Sequence, residues 1–305
     1  MQFMKPDHLI SLASSAVLVS MDINVWSATK QDRVISDEVT TSKNADRSAG
    51  RYVKNLLANH SKHKAVVNYR QTIYNWLQRR TYRWNQSQNL LPSVDVPKFK
   101  QEYAFHETEF HTLVDALITE YDSIVSDMAF KQGTMFNRAD YPHKDVVRSK
   151  FGLQLYVSEV PMNDFRCSIA QDIADDLFNT LSNQAQVIIK SIHEEQAERL
   201  IEVMNSISHC CGYDEVEKPS GEVVSKKRKI YDTTIEQTKE LCNTLQHFNL
   251  TNNKELENAR VALAEALRNV DAEGLRDSDA MRMSVKAKVD DVIEKFTLNT
   301  SLFED

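Results

Sequence analysis

Between Val17 and Val25 apolar and polar residues alternate. Val17, Val19, Met21, Ile23 and Val25 fall on one side and Ser20, Asp22 and Asn24 on the other, which is the period of a half-buried strand. The stretch GLQLYVSEV, from Gly152, sets Leu153, Leu155 and Val157 against Gln154, Tyr156 and Ser158 and stops at Pro161. These two strands can pair with each other, and a two-stranded ribbon needs helices against its apolar face to be stable.

Almost everywhere else the period is helical. Ser36, followed by Asp37 and Glu38, starts one expected helix, in which Ala45, Ala49, Val53 and Leu56 recur on one face. A second turns Val66, Ile73, Trp76 and Leu77 inward and Asn68, Gln71, Asn75 and Gln78 to water. A third runs from about Pro97 to Lys131, with Gly133 as its stop.

The longest periodic segment follows Pro161, with Asn163 or Asp164 as its cap. Ile169, Ile173, Leu177, Leu181, Ile188, Ile192, Leu200, Met204 and Ile207 return at steps near four, three and seven until Cys211 and Gly212. Unbroken, about 45 residues at about 1.5 Å each make a rod of roughly 67 Å, a length usual in coiled coils and elongated bundles. From Gly212 to Lys229 the period fails, which predicts a hairpin or a mobile tip. Three helices complete the chain. Thr234/Gln237 and Asn252/Glu255 are read as capping boxes for the first two, the short join at Thr251 and Asn252 makes those two a helical hairpin, and the last runs from about Ser278 to Leu298.

The fold expected is therefore mainly α: an elongated helical bundle with one long coiled-coil-like helix and a small two-stranded β element. Residues 1–160 form an N-terminal helical region carrying both strands, and 161–305 form the long helix, the tip and the C-terminal helices. Six glycines and six prolines in 305 residues agree with few turns and long elements.

Composition adds limits. A hydrophobic fraction of 41% supports a sizeable core, and a charged fraction of 27% with net charge −7 describes a mildly acidic chain. Cys167, Cys210, Cys211 and Cys242 have neither disulfide-framework nor zinc spacing, so reduced thiols in a cytoplasmic compartment are expected. No apolar run is long enough to cross a bilayer. Leu9 to Val19 is read as a short helix entering the first strand rather than as a signal peptide.

Charge changes the picture more. Residues 43–84 hold ten Lys or Arg against one acid, Asp46, formally +9, which leaves −16 on the rest. Lys43, Arg47, Arg51 and Lys54 follow at steps of four, four and three, one stripe if the segment is a helix. In YNWLQRRTYRW, Trp76 and Leu77 join the apolar side, whereas Arg79, Arg80, Arg83 and Trp84 lie at or past the helix end, where cations complement its dipole. This set can face an acidic helix of a second copy, another protein or solvent, or bind nucleic acid through phosphate neutralisation and stacking. Lys226, Lys227, Arg228 and Lys229 form a second basic patch at the expected tip.

Chemistry is sparse. Glu102, His106 and Glu109 share a helical turn, as do His111 and Asp115, but no second Glu-x-x-His element is present to complete a di-metal site. The segment around His193 to Glu195 lacks it, and His209, Cys210 and Cys211 lie near a helix C-terminus, which does not favour thiolate. There is no glycine-rich phosphate loop and no nucleophile elbow. Neither a cofactor nor a catalytic residue is expected, and the chain reads as a non-enzymatic interaction or assembly protein that self-associates.

Four stretches, INVWSATK (Ile23 to Lys30), YRWNQSQNLLP (Tyr82 to Pro92), FNRADYP (Phe136 to Pro142) and VPMNDFR (Val160 to Arg166), resemble a bacterial and bacteriophage family of unknown function. Its members are often encoded beside MoxR-type AAA+ ATPases and von Willebrand A-type proteins. The resemblance implies a phage or prophage origin, residence in a host cytoplasm and an AAA+ ATPase as partner, and it implies no reaction. It also offers Trp84, Pro92, Tyr141, Pro142, Asp164 and Arg166 as residues that define corners of the fold.

Overall fold

The computed structural model describes the backbone of residues 12–161, 171–217, 223–249 and 253–300, and within those ranges every side chain except those of 171–179, 181–182 and 298–300. Its elements run β1 (Ala16–Asn24), β2 (Thr29–Asp32), α1 (Arg33–Ser42), β3 (Tyr52–Asn55), α2 (Ser61–Arg80), β4 (Tyr82–Arg83), β5 (Asn89–Pro92) and α3 (Val96–Gln132). They continue α4 (Lys144–Arg148), β6 (Gly152–Ser158), α5 (Gln171–Cys211), β7 (Tyr213–Glu217), β8 (Val223–Lys227), α6 (Asp232–His247), α7 (Lys254–Ala266), α8 (Ala272–Asp277) and α9 (Asp279–Thr300). The chain is mainly α. Among the described residues no helix is long and apolar enough to cross a membrane.

The β content exceeds the small ribbon expected. The two strands read from alternation are neighbours in a four-stranded sheet of order β4-β5-β1-β6, and β2-β3 and β7-β8 form two further ribbons. Ala16, Leu18 and Val19 are all buried, so the first half of β1 is covered on both faces and alternation alone under-read it.

The chain forms two compact units. One comprises Val19–Thr81 and Pro97–Val157, the other Met1–Leu18, Tyr82–Val96 and Ser158–Asp305. A boundary expected at residue 160 falls close to one crossing, but two N-terminal segments belong with the C-terminal unit. The first unit holds 18 Lys and Arg against 14 Asp and Glu, formally +4, and the second 19 against 30, formally −11. They are called the basic and the acidic unit below.

In the basic unit α2 buries His63, Val66, Ile73, Trp76 and Leu77, the side its period foretold plus one histidine. The buried stripe of α3 runs Phe99, Phe110, Val114, Leu117, Tyr121, Ile124, Val125 and Met128. Gly133 ends α3 at φ +53°, a left-handed conformation that costs glycine little. Trp26 is buried edge-on to His63 and Tyr121, and the His63 Nε2 lies 2.7 Å from the Trp26 carbonyl oxygen. Tyr141 donates its hydroxyl to the Leu56 carbonyl (2.9 Å) or to Gln132 Oε1 (3.0 Å), and Tyr121 donates to the Pro142 carbonyl (3.0 Å).

One expected helix is cut short. From Ser36 the chain continues helical only to Ser42, turns through Asn44 at φ +50° and a 3-10 turn at Arg47–Ala49, and enters β3. Thr40, Thr41 and Ser42 are weak helix formers, and Asn44 tolerates the left-handed turn. Asp46 then caps the short turn by accepting from Ser48 N at 2.8 Å. Val53 and its neighbours pair instead with β2, in the register Thr29↔Asn55 to Asp32↔Tyr52.

In the acidic unit the C-terminal part of the α5 seam, from Leu200 on, is covered by helices of the same chain. Leu200, Met204, Ile207 and Cys211 share a core with Ile235, Cys242 and Leu245 of α6, Leu256, Ala259 and Leu263 of α7, and Val285, Val289, Val292 and Phe296 of α9. Each large side chain there contributes about 1.5–3 kcal/mol of burial. Ile192 belongs to a second cluster with Leu12, Ala16, Leu18, Tyr82, Leu90, Val160 and Phe248, on which Trp84 and Ile188 pack. The start of the long helix expected at Asn163 or Asp164 lies outside the described residues, as do the side chains of Ile169, Ile173, Leu177 and Leu181 and those of Asp164 and Arg166.

The cap of α6 differs from expectation: the helix begins at Asp232, and Thr234 lies inside it, its carbonyl accepting from Thr238 Oγ1 at 2.8 Å. At α7 the cap is Asn253, one residue later than expected, its Oδ1 accepting from Leu256 N at 2.8 Å. The short α8 was not foreseen.

Candidate functional site

The basic set expected as one helical stripe is dispersed by the turn after α1. Lys43 closes α1 and is exposed, Arg51 is exposed just before β3, and Arg47 reaches Asp37 at 3.3 Å in a solvent-exposed pair, the kind that contributes little.

Lys54 points inward, with 5% of its side chain accessible. Its Nζ donates to Asp140 Oδ2 at 2.8 Å and the Met135 carbonyl at 2.6 Å and lies 3.1 Å from Asp32 Oδ2. Lys30 Nζ reaches the other Asp140 oxygen at 2.7 Å. Burial alone would depress the Lys54 pKa, but the hydrogen bonds and charges of Asp140 and Asp32 outweigh it and raise it above the ordinary value. Burial likewise works against ionised Asp140, and Lys30 and Lys54 overcome it, lowering its pKa. The Ile35 amide, then Lys54, lowers that of Asp32, which also caps α1. Lys54 is therefore a structural cation and no part of a binding stripe.

The aromatic and arginine segment resolves similarly. Trp76 stacks on Phe99 with ring centroids 4.7 Å apart and donates its Nε1 to Glu102 Oε2 at 2.7 Å. Arg80 grips the same carboxylate in fork fashion, Nε to Oε2 at 2.8 Å and Nη2 to Oε1 at 2.5 Å. Burial opposes the Glu102 charge, but Trp76 and Arg80 prevail and lower its pKa. Arg79 is exposed in the last turn of α2, and Arg83 is exposed on β4. Trp84 is half-buried, packed against the second core cluster.

YRWNQSQNLLP forms the β4-β5 hairpin, Tyr82 opposite Leu90 and Arg83 opposite Asn89. Its turn is held by Asn85 Oδ1, which accepts from Ser87 N at 2.9 Å and Gln88 N at 2.8 Å. The Tyr141 hydroxyl and the Pro142 carbonyl are likewise engaged within the fold.

The tip patch forms the β8 strand and the residues after it. Lys227 pairs with Asp279 at 2.6 Å and Arg228 with Asp214 at 2.6 Å, whereas Lys226 and Lys229 are exposed.

The carboxylate and imidazole groups of α3 do not converge. Glu102 is occupied by Trp76 and Arg80, Asp115 pairs with Arg148 at 2.5 Å, and the His106 Nδ1 lies 2.9 Å from the Tyr69 hydroxyl. Burial lowers the His106 pKa against the opposing charge of Glu102. Among the described residues no three His, Cys, Asp or Glu side chains gather as a metal site would require. Burial raises the pKa of Cys211 and pushes that of Cys242 up to about 11, which disfavours the nucleophilic thiolate.

One cluster had no sequence signal, because its members are 78 and 82 residues apart. Ser208 of α5 donates to Asp290 of α9, and Lys286 Nζ donates to Ser208 Oγ at 2.8 Å and to Asp290 Oδ2 at 2.7 Å. Burial works against the Asp290 charge, but the bonds from Lys286 and Ser208 overcome it and lower its pKa. Ser208 gives its proton to Asp290 and accepts from Lys286, so the three polar groups satisfy one another. The three residues staple α5 to α9. Comparison with family models, with curated proteins and with solved structures gives no match to this chain.

Proposed function

We propose that this chain is a non-enzymatic interaction and assembly protein whose copies associate through opposite charge, the basic unit of one copy attracting the acidic unit of another. The observation that carries this reading is the partition of charge between compact units, 18 cations to 14 acids in one and 19 to 30 in the other. Exposure of Lys43, Arg51, Lys64 and Arg70, all in the basic unit, supports it further. In this reading α5 continues as a coiled-coil-like element of an elongated assembly. The resemblance carried by the four stretches adds a phage or prophage origin, a host-cytoplasmic setting and an AAA+ ATPase as outside partner.

The same exposed cations support a second reading, binding of nucleic acid by the basic unit. One experiment separates the two. A tagged copy is used to capture an untagged copy at low salt, and the variant Lys43→Glu/Arg51→Glu/Lys64→Glu/Arg70→Glu is used in parallel, with labelled single-stranded and duplex DNA and RNA as probes. Self-capture lost in the variant supports the first reading. Nucleic-acid binding lost in the variant, with no self-capture by the parent, supports the second. Neither activity in the parent overturns both.

A further inference from the structure

The β7-β8 ribbon stands as a two-stranded sheet, so among the described residues each strand has one edge without a neighbour. Its register, Tyr213↔Lys227 through Glu217↔Val223, tells which backbone groups face outward. Arg228 N donates to the opposite Gly212 carbonyl at 3.2 Å, so hydrogen-bonded pairs fall at alternate positions, Asp214↔Lys226 and Val216↔Val224. The amides and carbonyls of Val223, Ser225 and Lys227 therefore point away from β7.

Charge divides along the same line. β7 carries Asp214, Glu215 and Glu217, whereas β8 and the residues after it carry Lys226, Lys227, Arg228 and Lys229. Two of those cations already hold Asp279 and Asp214. Lys226 and Lys229 are exposed, as are Val223 and Ser225. Pairing a copy's β8 with another β8, or β7 with β7, would set like charges side by side. An added strand that satisfies both the backbone and the side chains of β8 must be acidic.

We propose that the outer edge of β8 is a docking strand for an acidic, extended peptide segment of a partner protein, which adds to the ribbon by backbone pairing and is selected by Lys226 and Lys229. The proposal rests on the interaction reading of the chain but concerns a different surface from the one that joins copies.

The test uses the full chain and a fluorescein-labelled peptide of alternating Glu and Val, with two controls: the Lys/Val counterpart, and a Glu/Val peptide interrupted by proline. Fluorescence anisotropy at low salt is expected to show binding of the Glu/Val peptide alone. Ser225→Pro removes an outward amide at a position where an edge strand tolerates proline, and is expected to abolish binding with the melting temperature unchanged. Lys226→Ala/Lys229→Ala, which removes both charges without setting an acid opposite Asp214, is expected to abolish it too.

Binding that survives Ser225→Pro or accepts the interrupted peptide overturns strand addition in favour of plain charge attraction. Binding by single-stranded DNA that displaces the peptide from the lysines in the same manner also overturns it. No peptide binding at all overturns it and leaves the lysines as guards against edge pairing. Self-capture by Ser225→Pro is measured alongside: peptide binding lost with self-capture intact, or the reverse, tells which of the two interactions fails.

Discussion

The guanidinium of Arg282 donates its Nη2 to the carbonyl oxygen of Cys210 at 2.5 Å. The same group reaches the carbonyls of Gly212 (3.3 Å) and Arg228 (2.8 Å), its Nε that of Cys211 (3.4 Å) and its Nη1 that of Leu275 (3.4 Å), with 1% of the residue accessible. A buried cation thus rests on backbone dipoles, with the Tyr213 ring 5.6 Å from it. Cys210, Cys211 and Gly212 end or follow α5, where the helix dipole is negative and carbonyls lack intrahelical partners.

Replacing Arg282 with Met leaves several buried carbonyls unsatisfied, and the expected loss is about 3–5 kcal/mol. Arg282→Lys should recover only part, since one ammonium cannot reproduce the planar fork. Urea unfolding followed by circular dichroism measures both, and a loss under about 1 kcal/mol for the Met variant would remove Arg282 from this role.

The Lys54, Asp140 and Asp32 cluster predicts acid sensitivity of defined sign. The folded-state pKa values of both aspartates lie below the ordinary 3.8. Their stabilisation is complete above the unfolded-state value and is lost as pH falls through the folded one. Asp140→Asn should therefore lower the melting temperature at pH 7, and the gap from the parent should close as pH falls below 3.8 and through the lowered folded-state pKa. A gap that stays constant with pH would show that the charge of Asp140 is irrelevant to stability. The raised pKa of Lys54 adds stability that persists until pH rises past the ordinary lysine value of 10.5.

Leu200 is fully buried where α5 meets the C-terminal helices, whereas Phe105 is exposed on α3. Leu200→Ala should cost about 2–5 kcal/mol, and Phe105→Ala should stay within about 0.5 kcal/mol. Equal effects in thermal unfolding would contradict the assignment of the core.

Thiol reactivity offers a chemical check. Cys242 is buried and its pKa is pushed up to about 11, while Cys210 is partly accessible. Iodoacetamide at pH 8 followed by peptide mass spectrometry should label Cys210 well ahead of Cys242 in the native protein. Rapid native labelling of Cys242 would mean that α6 does not pack as described.

Long helices were the most legible part of the chain, because Ile192, Leu200, Met204 and Ile207 or Ile73, Trp76 and Leu77 repeat often enough to mark one face. Short strands were not: β2 is Thr-Lys-Gln-Asp and β3 is Tyr-Val-Lys-Asn, so neither shows an apolar stripe and each is specified by its partner. That is why Lys54, at helical spacing from three exposed cations, carries no sequence sign of the two aspartates it faces. Arg282 was invisible for the same reason, since a charged residue between Met281 and Met283 reads as solvent-facing until the ends of α5 and α8 are known. The basic region was legible as composition, yet its fate depended on Asp32, Glu102 and Asp140, which lie outside it in sequence.

Association by opposite charge is tested most directly by multi-angle light scattering of the intact chain across concentration at about 50 mM and about 1 M NaCl, where the screening length falls to about 3 Å. The account predicts a mass well above 35.0 kDa at low salt that returns to 35.0 kDa at high salt. A mass of 35.0 kDa at every concentration and both salts would contradict it.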